Sequence, residues 1–110
     1  MSIEDLTAKC SPVVETLMES IRSGRTVRGG GLYNSVRGGK KFYRITTDWI
    51  PYNGVHLKRF QVETLLHNSL PHFMHSSRFR LGTYGQINIK KSYVDYNPDK
   101  GIRLVYMLPQ

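Results

Sequence analysis

The run Asn97-Pro98-Asp99-Lys100-Gly101 constrains this chain most. Pro98 is preset for a turn φ, Gly101 is free to adopt left-handed backbone, and alternating apolar and polar residues flank the run on both sides. Residues 84–94 and 102–108 therefore predict the two strands of a C-terminal β-hairpin. With Pro98–Gly101 as a four-residue loop, Asn97 pairs with Ile102 and Tyr93 with Tyr106. That register puts Ile87, Ile89 and Tyr93 on one face with Ile102, Leu104, Tyr106 and Leu108, the expected core face. Asn88, Lys90, Ser92, Val94, Arg103, Val105 and Met107 fall on the other face, and Lys91 is left pointing toward the apolar side.

Upstream, residues 2–23 carry Val13, Val14, Leu17, Met18 and Ile21 at helical spacing, with Ser2 placed to cap and Glu4 and Asp5 in the first turn. Ser11-Pro12 leaves two forms open, one bent helix or a short turn followed by a helix from 12 to 22, and Gly24 ends the element. Residues 23–41 hold six glycines among cations and read as a basic arm or loop, costly to order without a ligand. Phe42–Ile50 is β-branched and aromatic, a first strand closed by Pro51 and Asn53-Gly54. From Val55 to Leu66, the residues Leu57, Phe60, Leu65 and Leu66 suggest an amphipathic second helix, and residues 78–81 a further short strand. The expected fold is α+β, one domain of residues 1–110 with two helices on a small antiparallel sheet that ends in the hairpin. A winged helix, with the hairpin as wing and a third helix in HNSLPHFMHSS, is the alternative.

The 110 residues carry a formal charge of +8, and its placement is uneven. Residues 1–24 are acidic, whereas 25–47 contain Arg25, Arg28, Arg37, Lys40, Lys41 and Arg44 with no acid. Residues 71–93 add Arg78, Arg80, Lys90 and Lys91, again with no acid, and the remaining stretches balance. Two acid-free basic segments point to a polyanion, since such a field concentrates phosphate backbones. Tyr33 and Tyr43, interleaved with these cations, add stacking planes suited to bases, while Phe42 and Phe79 are expected to face the core.

Chemistry beyond binding finds little support. His67, His72 and His75 lack the cysteines, carboxylates or His-Glu-x-x-His spacing of a metal site, and the glycine runs match no phosphate-binding loop. Asp48, Glu63, Asp95 and Asp99 are too few and scattered for metal-dependent cleavage, so neither metal nor cofactor is expected. Cys10 has no partner for an intramolecular disulfide, the first ten residues do not resemble a secretory signal, and no apolar run is long enough for a membrane helix. An intracellular protein is expected, cytoplasmic, or at nucleoid or nucleus if it binds DNA. The expected function is non-enzymatic binding of DNA or RNA, with contacts from Arg25, Arg28, Tyr33, Arg37, Lys40, Lys41, Tyr43, Arg44, Arg78, Arg80, Lys90, Lys91 and Arg103. Two alternatives stand beside it: a small inhibitor or accessory protein docking on an acidic protein or a nucleoprotein complex, and a metal-independent ribonuclease. A dimer through a strand edge or helix face is open.

Overall fold

A computed structural model describes residues 2–25, 29–74 and 86–110. Its helices are α1 (Ile3–Arg22) and α2 (Arg59–Ser69), and its strands β1 (Gly31–Arg37), β2 (Lys40–Thr46), β3 (Asn88–Asn97) and β4 (Gly101–Pro109). The strands form one antiparallel sheet in the order β1-β2-β4-β3, so the fold is α+β with a C-terminal hairpin. Among the described residues no third helix follows, as the winged-helix alternative requires: His72–Met74 makes a single 3₁₀ turn. His75, the expected strand 78–81 with Arg78, Phe79 and Arg80, and Arg28 lie outside the described residues.

α1 is one continuous helix, which decides between the two forms left open at Pro12. Proline removes one backbone donor, and Ser11 Oγ bonds the Thr7 carbonyl at 2.7 Å within the same turn. The Asp5 N–H donates to Ser2 Oγ and the Ser2 N–H to the Asp5 carboxylate, a reciprocal cap at the first turn. At the far end Gly24 takes φ +72, which lets the Arg25 N–H reach the Ser20 carbonyl at 2.8 Å.

α2 begins at Arg59, later than the spacing predicted, and its inner stripe is Val62, Leu65, Leu66 and Ser69. Phe60 lies off that i, i+3, i+4, i+7 stripe and is largely exposed, a correction to its expected core role. Both helices cover one face of the sheet. Leu6, Cys10, Val14, Leu17 and Met18 of α1 meet Ile45 of β2 and Ile102, Leu104, Tyr106 and Leu108 of β4 in one core. Among the described residues the other face carries no helix, and there Phe42, Val105 and Met107 form a small separate cluster with Tyr93 against it.

Two expectations about the sheet are overturned. Residues 31–41, expected as part of a mobile arm, build β1 and start β2 around a two-residue Gly38-Gly39 turn. Both glycines have positive φ, +56 and +79, as the tightest hairpin turns need, so glycine's freedom is spent at the turn while Leu32 packs on the core. The C-terminal register also differs by one residue: Asn97 pairs with Gly101, and Tyr93 with Val105. The loop is the three residues Pro98–Lys100, held by Asn97 Oδ1, which accepts the N–H groups of Asp99 and Lys100 at 2.9 Å each. Tyr93 thereby moves to the helix-free face, and Val94 and Tyr96 turn inward to the core. Ile87 and Ile89 still pack against that core, because a bulge between Asn88 and Tyr93 restores their side.

Candidate nucleic-acid interface

Strand parity determines what the helix-free face displays. β1 offers Tyr33 and Arg37, β2 offers Phe42, Arg44 and Thr46, β4 offers Arg103, Val105 and Met107, and β3 offers Tyr93 and Asp95. Every arginine on these four strands is stacked. The Arg44 guanidinium lies 5.3 Å from the Tyr33 ring centroid, that of Arg37 4.8 Å from Tyr93, and that of Arg103 4.7 Å from Trp49.

Each pair has a local cause. Tyr33 and Arg44 are direct cross-strand partners, and the Tyr33 ring folds back over Gly31, where a Cβ would crowd it. Arg37 and Tyr93 stand on the two edge strands, about 14 Å apart at usual strand spacing. Their contact therefore crosses β2 and β4, above the cluster in which Phe42 is 8% exposed and Met107 fully buried. Trp49 reaches the face because β2 stops at Thr46. The Thr47 N–H donates to the Leu104 carbonyl, Thr47 Oγ1 accepts the Leu104 N–H at 3.0 Å, and pairing resumes only at Ile50 with Ile102. The residues between are displaced outward. Arg103 is further held by Asp95, its Nε–H donating to the carboxylate at 3.0 Å.

Two polar atoms at the Tyr33 end lack partners: Nε of Arg44 and Oγ1 of Thr46, a residue only 4% exposed. An unmatched buried polar atom costs about 1–3 kcal/mol, and here two of them adjoin a ring that is 45% exposed. Toward the Gly38-Gly39 turn the face ends in a concavity of about 370 Å³ lined by Arg37, Gly38, Lys40, Phe42, Lys91 and Met107. Lys91 reaches it from the β3 bulge, which corrects its expected place on the apolar side. Arg59 of α2 positions that bulge, donating to the carbonyls of Ile89 and Lys90 at 3.0 Å and of Ser92 at 2.9 Å. Ser92 Oγ donates to the Asn88 carbonyl and accepts the Met107 N–H, tying the bulge to β4.

Of the site residues expected from sequence, the structure brings together Tyr33, Arg37, Lys40, Arg44, Lys91 and Arg103. Lys90 is exposed on the same bulge, with its carbonyl used by Arg59. Tyr43 and Lys41 have the opposite parity. Tyr43 packs against the helix-side core and Phe42 takes the place on the open face that Tyr43 was expected to hold. Arg25 sits beside Glu15 and Glu19 at the end of α1, away from the sheet. Trp49 and Arg59 were missed, and Tyr93 was assigned to the core face. The one-residue register error concealed Tyr93, and no local pattern announces a tryptophan displaced by a broken strand. Among the described residues, no three His, Cys, Asp or Glu side chains gather as a metal-binding group would. His56 stacks on Tyr96, which packs against the helix-side core, and His67 and His72 belong to α2 and the turn after it. No family model, curated protein or solved structure matches this chain.

Proposed function

We propose that this chain binds single-stranded nucleic acid across the helix-free face of its sheet, without cleaving it. The observation that carries this reading is the set of three arginine–aromatic pairs on one face, Arg44–Tyr33, Arg37–Tyr93 and Arg103–Trp49. Each pair combines a plane on which a base can stack with a cation for its phosphate, the mixture that unpaired strands need and a duplex, with its bases hidden, does not use. The only carboxylate among the strand residues of that face, Asp95, is already engaged by Arg103. No described histidine stands on those strands, which supports binding over acid–base cleavage. Among the described residues no helix is long and apolar enough to cross a membrane, and Cys10 is a buried free thiol. We place the protein inside the cell, with its polyanion.

A salt series of binding to matched single- and double-stranded DNA and RNA tests this. Single strands should bind tighter than duplexes, and Tyr33→Ala or Tyr93→Ala should each weaken single-strand binding by about 1–3 kcal/mol. Absence of binding at micromolar protein and low salt would overturn the reading. So would equal binding of polyaspartate at matched charge, which would favour an acidic protein surface as the partner.

A further inference from the structure

The concavity at the turn end of the sheet differs from the rest of the face. Three cations, Arg37, Lys40 and Lys91, converge on it from β1, from β2 and from the β3 bulge, and its floor is the apolar pair Phe42 and Met107. No acid lines it. The ion pairs among the described residues are Arg22–Glu19, Arg59–Glu63 and Arg103–Asp95, so none of the three cations is neutralised by a carboxylate. Like charges held around one hollow repel each other, and an anion seated between them removes that cost.

Charge and position select the anion. An internal phosphodiester carries one negative charge, whereas a phosphate monoester carries about 1.5 to 2 at neutral pH, nearer to what three cations match. The hollow also lies where a strand crossing the sheet would stop. Trp49 and Arg103 mark the opposite end of the face, and among the described residues the sheet closes beyond the hollow with the Gly38-Gly39 turn and Pro109–Gln110. The bulge that brings Lys91 there is itself clamped, by Arg59 on three carbonyls and by Ser92 on β4. We infer that the hollow formed by Arg37, Lys40 and Lys91 over Phe42 and Met107 holds the terminal phosphate monoester of a single strand, so that the protein recognises phosphorylated ends. This inference rests on the strand-binding reading above.

The test uses three ten-nucleotide single strands of one sequence, carrying a 5′-phosphate, a 3′-phosphate or neither, measured by fluorescence anisotropy at fixed ionic strength. One phosphorylated strand should bind about fivefold tighter than the hydroxyl-ended one. Lys40→Ala and Lys91→Ala should make the three strands equal in affinity, whereas Lys9→Ala on α1 should keep the preference. Equal binding of all three strands by the unmodified protein overturns the inference while leaving strand binding intact. If no strand binds at all, the strand-binding reading fails, and adenosine monophosphate judges the hollow alone. Amide resonances of Gly38, Gly39 and Lys91 that shift with the monophosphate and not with adenosine keep the phosphate site, and resonances indifferent to both remove it.

Discussion

Gly101 has φ +108, and a methyl group on its Cα would overlap the carbonyl oxygen of Ile50, which accepts the Ile102 N–H at 2.9 Å. Left-handed backbone and close approach coincide at this one position. Gly38 also has positive φ, but nothing lies near the position its Cβ would take. Gly101→Ala should therefore cost more than about 2 kcal/mol, and Gly38→Ala about 1 kcal/mol, read as shifts in urea midpoint at unchanged slope. Equal midpoints for the two variants would show that the Ile50 approach carries no weight. Gly101 also explains a misplaced residue. Both a four-residue and a three-residue loop satisfy the chemistry of Pro98 and Gly101, and only the second makes Gly101 itself a paired residue, opposite Asn97. The choice moves Tyr93 from the core to the open face. Pattern alone could not make it, because Val94 and Tyr96 are as suited to a core as Ile89 and Tyr93.

At the scale of elements, the helices and the hairpin were legible because each repeats an apolar period, as Val14, Leu17, Met18 and Ile21 do over two helical turns. β1 was hidden by its neighbours. Its ordering depends on pairing with β2 and on Leu32 reaching the core, both long-range consequences that six nearby glycines obscure. The β3 bulge was hidden for the same reason, since Arg59, which clamps it, comes from 30 residues upstream of Ile89. Arg59→Ala should speed amide exchange at Lys90–Tyr93 by about tenfold with little change elsewhere, and Arg59→Lys should not restore protection, because a single ammonium cannot span three carbonyls. Uniform acceleration throughout β3 and β4 would instead mean that Arg59 supports the whole sheet.

The contact of α1 with β4 makes a pH prediction. Burial pushes the Cys10 thiol up from 9.0 to about 11, and pushes the Tyr106 hydroxyl, which donates to the Leu66 carbonyl at 2.7 Å, upward as well. The folded chain keeps both protons to higher pH than the unfolded chain does. Stability contributed by neutral Cys10 is thus fully present below pH 9 and declines as pH rises from there to about 11. Cys10→Ala should flatten the fall in melting temperature across that window, and an identical profile in the variant would show that other groups govern alkaline unfolding.

At the scale of the whole molecule, the charge was legible in amount and poorly legible in place. The two acid-free segments do supply Arg37, Lys40, Arg44 and Lys91 to one face, yet Arg103 comes from a stretch that balances to zero, and Arg25, within a basic segment, ends beside Glu15 and Glu19. Sequence proximity is a weak guide to surface proximity when adjacent strand residues alternate faces. The distinction between a diffuse +8 field and a built face is measurable. Each phosphate neutralised on a single strand contributes about 0.7 to the slope of log K against log salt, so replacing Arg37, Arg44 and Arg103 together by Gln should flatten that slope by about 2. Replacing Lys9, Arg25 and Lys58, which lie on or beside the helices, removes the same charge and should leave the slope nearly unchanged. A third set, the same three arginines replaced by Lys, keeps the charge and loses the planar guanidinium that stacks on Tyr33, Tyr93 and Trp49. It should retain the slope and still bind more weakly at every salt concentration, with melting temperatures of all three sets measured alongside to confirm folding. Equal flattening by the first two sets would mean that the polyanion feels only net charge, and the stacked arginines would then have no special part in binding.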